Sequence, residues 1–102
     1  MPTTDIVTRV KKSLELKEPP MFRVIYINDN VTTVDFVINS LVQHFRYSKE
    51  NAEKLTLDIN DLGSATVAVL PFEVAEQKGI EVTVHARTNN FPLQVKLEPE
   101  SV

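Results

Sequence analysis

The chain has 102 residues, a net charge of −3 and no cysteine. That length allows one domain with a modest core and little spare volume for a deep active site. The acidic balance argues against a surface built to hold nucleic-acid phosphates, and the missing cysteines remove disulfides, thiolate metal sites and thiol nucleophiles together.

Residues 1–20 read as a mobile N-terminal extension. Thr4-Asp5 can cap a short helix with Ile6, Val7, Val10 and Leu14 loosely on one side, and Glu18-Pro19-Pro20 ends it. Met21–Ile27, MFRVIYI, has the β-branched and aromatic density of a buried strand. Asn28-Asp29-Asn30 breaks it, and Thr32 or Thr33 then caps a helix. On that helix Val34, Val37, Ile38, Leu41, Val42 and Phe45 recur with helical spacing. Ser48 caps a second helix whose inner face is Ala52, Leu55 and Ile59, and Asp61-Leu62-Gly63 stops it. Ala65–Leu70 is the second strand, and Pro71 suits the first turn of a third helix. There Ala75, Gly79, Val82 and Ala86 make a small-residue face, although Val82-Thr83-Val84 locally favours strand. Leu93, Val95 and Leu97 alternate with Gln94, Lys96 and Glu98, a third strand with one wet face. The order strand, helix, helix, strand, helix, strand predicts an α+β two-layer sandwich, a three-stranded antiparallel sheet on three helices. Its core domain spans 21–98, followed by a short tail over 99–102.

No apolar run approaches the roughly 20 residues of a membrane span, and the N-terminus lacks the basic-then-apolar pattern of a secretory signal. The expected compartment is the cytosol, or an organelle interior if a transit segment was removed. Catalytic signatures are missing too. Gly63 and Gly79 are the only glycines, so no Gly-rich phosphate loop can be built. No G-x-S-x-G elbow or H-E-x-x-H pair occurs. His44 and His85 fall on different helices with no cysteine or carboxylate at ligand spacing, and read as surface or edge histidines. Asp58 and Asp61 read as a solvated helix end. The chain is expected to be no enzyme and to carry no metal or cofactor. What stands out is Asn28-Asp29-Asn30-x-Thr32, short polar side chains between an apolar strand and a capped helix. Composition alone reads it as a turn plus an N-cap; held on a rigid scaffold, its oxygens also suit a ligand's ammonium group.

Several segments, taken in order, resemble the ClpS adaptor family. They are Pro19-Pro20-Met21-Phe22-Arg23-Val24-Ile25, Asn28-Asp29-Asn30-x-Thr32, Phe36-Val37, then Ala52, Leu55, Leu57, Gly63 and Ala65. Glu73-Val74-Ala75-Glu76-x-Lys78, Ala86-Arg87 and Pro92-Leu93 follow, so the likeness covers about residues 19–98. The resemblance implies a non-catalytic adaptor of the N-degron pathway. It would bind clients with N-terminal Leu, Phe, Tyr or Trp and deliver them to a ClpA- or ClpC-type AAA+ unfoldase of the ClpP protease. By position, Asn28 and Asp29 would hold the client's α-ammonium and first peptide group, and Thr32 the adjoining backbone. Val34, Val37, Thr56 and Leu93 would line the pocket for the first side chain. Glu73 and Lys78 would dock on the unfoldase, and the segment before Pro19 would be engaged during hand-over.

The chain departs from the family pattern around that pocket. Asn60 stands where a histidine usually helps hold the amine; it can accept a hydrogen bond but cannot titrate near neutrality. Val34 and Thr56 replace two methionines, which predicts a changed entrance with room for Ile or Val and a shorter, more polar wall. Asn30 replaces an aspartate and Val31 an aromatic. Two alternatives follow: a ClpS-like modulator that docks on the unfoldase without reading N-degrons, and an unrelated ribosome- or nucleic-acid-associated α/β module, against which the acidic balance counts.

Overall fold

A computed structural model describes residues 19–100. The extension expected over 1–20 therefore lies outside the described residues except for Pro19 and Pro20. The chain runs β1 (Met21–Ile27), α1 (Val34–Phe45), α2 (Lys49–Leu62), β2 (Ser64–Pro71), α3 (Phe72–Thr88) and β3 (Gln94–Pro99). β1 is the central strand of an antiparallel sheet ordered β2-β1-β3. Phe22 pairs with Pro99, and the Glu100 amide donates to the Met21 carbonyl at 2.8 Å. The last strand thus runs beyond residue 98 and takes in the start of the expected tail.

The two faces of β1 follow from its alternation. Val24 and Tyr26 point toward the helices and are fully buried. Arg23 lies on the opposite face, where it meets Glu98 at 3.1 Å, and Lys96 reaches the same carboxylate at 3.0 Å. Such half-exposed pairs mark a wet face and add little stability. Val24 and Tyr26 pair across the sheet with Leu97 and Val95, which pack under α3. Gly79 allows that close approach: a Cβ there would lie 3.7 Å from Val95 and 3.9 Å from Leu97. α3 forms despite Val82-Thr83-Val84, because Ala75, Val82 and Ala86 are fully buried on one stripe. Burial of that stripe outweighs a weak local β preference.

The register of β1 on β2 slips between Val24 and Ile25, leaving Val67 without a partner. Its carbonyl instead accepts the Tyr47 hydroxyl, which ties the loop between α1 and α2 to the sheet. Thr33, not Thr32, caps α1, accepting from the Phe36 amide at 3.2 Å. Ser48 caps α2 from the Asn51 amide at 3.2 Å. The buried stripe of α1 is Phe36, Val37, Ser40 and Leu41, so the predicted face is rotated: Val34 and Val42 stand exposed. Ser40 is buried because it has partners. It donates to the Val37 carbonyl at 2.8 Å and sits 2.9 Å from the Tyr26 hydroxyl. With the single serine proton committed to Val37, the tyrosine donates.

Candidate functional site

The loop after β1 is held at both ends by hydrogen bonds that its sequence specifies. The Asn28 amide donates to the Gly63 carbonyl at 2.8 Å, linking the exit of β1 to the C-terminus of α2. Gly63 adopts φ 90°, a left-handed conformation that glycine takes without steric penalty, and its own amide closes α2 on Ile59. Asp29 organises the turn itself. Its Oδ1 accepts the Val31 amide at 2.8 Å and the Thr32 amide at 2.6 Å, and its Oδ2 accepts the Thr32 hydroxyl at 2.8 Å. Burial works against the ionised form of Asp29, but those bonds and the charge of Arg87 outweigh it. The carboxyl stays below its ordinary value.

This turn forms one wall of a cleft of about 290 Å³. The loop contributes Asn28, Asp29, Asn30 and Thr32; α1 contributes Val34 and Val37; α2 contributes Thr56, Ile59 and Asn60. Seven of the residues expected at the amine and side-chain pocket are thus brought together: Asn28, Asp29, Thr32, Val34, Val37, Thr56 and Asn60. Val34 is 56% exposed and forms part of the rim, which is why it departs from the buried stripe of its helix. Thr56 is buried, and its hydroxyl donates to the Ala52 carbonyl at 2.7 Å, so its proton is already engaged. Asn60 is exposed and touches Asp61 only at 3.5 Å, leaving its amide available.

Leu93 is placed differently. It does not line the cleft but lies in the core at 1% exposure, just before β3. Proline at 92 and the turn at Asn90, with φ 64°, direct it inward. Arg87 Nη1 donates to the carbonyls of both Phe91 and Leu93 at 2.9 Å, pinning this connection. Glu73 and Lys78 lie on α3, outside the cleft. With Val74, Gln77 and Glu81 they line a shallow depression of about 230 Å³. Two lining residues were given no individual role from the sequence, although Asn30 belongs to the polar cluster singled out there. Ile59 reads as an ordinary core residue, and Asn30 as a turn residue; only the packing of α2 beside the loop gives them a shared wall. Among the described residues no three His, Cys, Asp or Glu side chains are grouped to hold a metal ion.

A small α+β domain whose cleft sets short polar side chains from the loop and α2 beside Val34, Val37 and Ile59 has the form of a binding module. The family model for the ATP-dependent Clp protease adaptor protein ClpS matches residues 17–96. A Clp protease adapter protein ClpS of Campylobacter jejuni is 40% identical over 100 residues, covering 98% of this chain and 100% of its own length. The one from Deinococcus radiodurans is 37% identical over 94 residues, 92% of this chain and 83% of the relative. The structure of Agrobacterium tumefaciens ClpS2 bound to L-phenylalaninamide superposes with a TM-score of 0.79 at 32% identity. It covers 81% of this chain and 100% of that one. The chain belongs to the ClpS family, adaptors of the Clp protease. No helix among the described residues is long and apolar enough to cross a membrane.

Proposed function

We propose that the cleft binds the free N-terminal residue of N-degron clients, which the protein then delivers to a ClpA- or ClpC-type unfoldase in the bacterial cytoplasm. The observation that carries this is the Asp29 turn: an ionised carboxylate, already fixed by three hydrogen bonds, faces a largely polar cleft in which Val34, Val37 and Ile59 supply the apolar surface. An α-ammonium needs acceptors aimed at it, and the adjoining side chain needs a dry slot. L-phenylalaninamide, the ligand in the Agrobacterium neighbour, has the same three parts as a client's first residue: a free amine, an apolar side chain and an amide.

In this reading Asn28, Asp29 and Asn60 hold the amine and first peptide group, and Thr32 supports the backbone. Val34, Val37 and Thr56 shape the side-chain slot, with Leu93 backing it from the core. Burial of a Leu or Phe side chain contributes about 1.5–3 kcal/mol, which with the amine contacts supports micromolar affinity. Val34 in place of a longer side chain leaves room for Ile and Val. Glu73 and Lys78 serve as the unfoldase contact, and catalysis has no part in the role.

The test is fluorescence anisotropy with labelled peptides that differ only in the first residue, Leu, Phe, Tyr, Trp, Ile, Val or Ala, plus an acetylated Phe peptide. Binding of the free-amine Leu and aromatic peptides, lost on acetylation, is the expected result. Silence across the panel from folded protein refutes the reading. The exposed Asn60 and the polar Thr56 favour a second reading, an unfoldase-docking modulator that ignores N-degrons. Failure to form a complex with the unfoldase alone, without client, rules that version out.

A further inference from the structure

The two histidines, unrelated by their sequence spacing, stand against each other in the fold. His44 lies in the last turn of α1 and His85 in the last turn of α3, and the chain has no others. His44 Nε2 and His85 Nδ1 are 3.2 Å apart, with the rings edge to face at a centroid distance of 5.3 Å. Phe36 lies against His85 at 4.9 Å, which restrains that ring.

A single N–H···N bond between neutral imidazoles accounts for this contact. The same separation also suits two ligands of one ion. Metal–nitrogen bonds of about 2.0–2.1 Å put the nitrogens about 2.8–3.0 Å apart at a right angle and about 3.3–3.4 Å apart at the tetrahedral angle. The observed 3.2 Å falls between. Glu81 supplies a third candidate ligand. It precedes His85 by four positions, so both project from one face of α3, which corrects the expectation of no carboxylate at ligand spacing. Its Oε2 is buried without a hydrogen-bond partner, and its ionic neighbour among the described residues is Lys78, at the loose distance of 3.8 Å. Its charge already bears on His44. As they stand the three groups are not converged on one point. Rotating Glu81 from Lys78 toward the imidazoles costs only a weak pair and gives the orphaned oxygen a partner.

We propose that His44, His85 and Glu81 form a cross-helix site for a divalent transition-metal ion of the zinc class, with water completing the coordination. Two imidazole ligands suit zinc, nickel and copper better than magnesium or calcium, which prefer all-oxygen sites. On metal entry the shared proton moves to the other nitrogen of the donor ring, and a neutral pair releases none. The ion would clamp α1, which carries Val34 and Val37, to α3, and would free Lys78. The effect on Lys78 matters for unfoldase docking only if the proposed docking role holds; the metal site itself does not depend on it.

Isothermal titration of the tag-free, chelator-treated full chain with zinc chloride tests the site. One ion per chain is expected. His44→Gln and His85→Gln should each weaken binding by at least the roughly tenfold that even outer-shell losses cost, and Glu81→Gln should weaken it measurably. Circular dichroism and client-peptide binding establish that each variant is folded. Proton NMR of the unaltered protein is independent of any variant: both imidazole C–H signals should move until one equivalent of zinc is added. Immobile signals, no heat of binding, or affinity indifferent to either histidine or to Glu81 overturns the assignment.

Discussion

Replacing Asp29 with asparagine separates the turn that Asp29 builds from the charge it presents. A carboxylate has about four acceptor positions. The Val31 and Thr32 amides occupy Oδ1, and the Thr32 hydroxyl takes one position on Oδ2, so one acceptor on Oδ2 remains for a ligand. The asparagine side chain keeps an oxygen for the two backbone amides, and its amide nitrogen can donate to the Thr32 hydroxyl. The turn should survive, with a stability change within about 1 kcal/mol. The free acceptor and the negative charge disappear, and the nearby Arg87 charge is no longer balanced. A charge-assisted hydrogen bond contributes about 1.5–3 kcal/mol, which is roughly a 10- to 150-fold loss of affinity for a peptide with a free N-terminal Leu or Phe. Fluorescence anisotropy measures it, and an acetylated peptide should bind the two proteins alike. A folded Asp29→Asn protein with affinity within about threefold of the unaltered one would show that the carboxylate only shapes the loop.

The Tyr26–Ser40–Val37 chain predicts strong non-additivity. Ser40→Ala leaves the buried Tyr26 hydroxyl unpaired and should cost about 1–3 kcal/mol, whereas Tyr26→Phe with Ser40→Ala should cost less than the sum of the single changes; urea denaturation of all four proteins decides it, and additive costs would refute the pairing. Gly63→Ala should cost about 1–2 kcal/mol through the backbone alone, since a Cβ there meets nothing within 4 Å at φ 90°; a thermal midpoint lower by at least about 4 °C, with weaker peptide binding through the Asn28 link, is expected. Stability should decline in two windows as pH falls. Folding depresses the pKa of His44 below 6.5, so the unfolded chain takes up that proton first and stability drops from about pH 6.5 down to the folded value. Folding also depresses the pKa of Asp29, whose contribution is complete above its ordinary 3.8 and is lost as pH falls through the lower folded value. His44→Phe should abolish the upper window and leave the lower one, read as urea midpoint against pH; an unchanged onset near pH 6.5 would refute the assignment to His44.

Much of the fold was legible because local chemistry and burial agree. Ser48 and Gly63 mark the ends of α2 by cap chemistry, and the alternation from Val24 to Tyr26 marks the face of β1 turned to the helices. Errors arose where a side chain's partner is distant in sequence. Ser40 looks like a break in the apolar stripe of α1 until Tyr26 is seen to bond it, and Val34 looks like core until it is seen on the rim of the cleft. For the same reason His44 and His85 appeared unrelated, being 41 positions apart.

The residues of the Asn28–Thr32 turn determine their own shape, because Asp29 bonds within three positions of itself. Hydrophobic periodicity likewise determines which segments form strands and helices and that the helices cover one face of the sheet. What faces the turn is beyond that local code. Thr56, Ile59 and Asn60 become its opposite wall only because the Asn28 amide meets the Gly63 carbonyl and β2 pairs beside β1. Leu93 carries the same apolar signal as Val37, yet the turn at Asn90 and the Arg87 bonds place it in the core instead of the cleft. A cleft is the space left between packed elements, and space of that kind is set by the relative placement of whole helices and strands, which no short window of residues encodes.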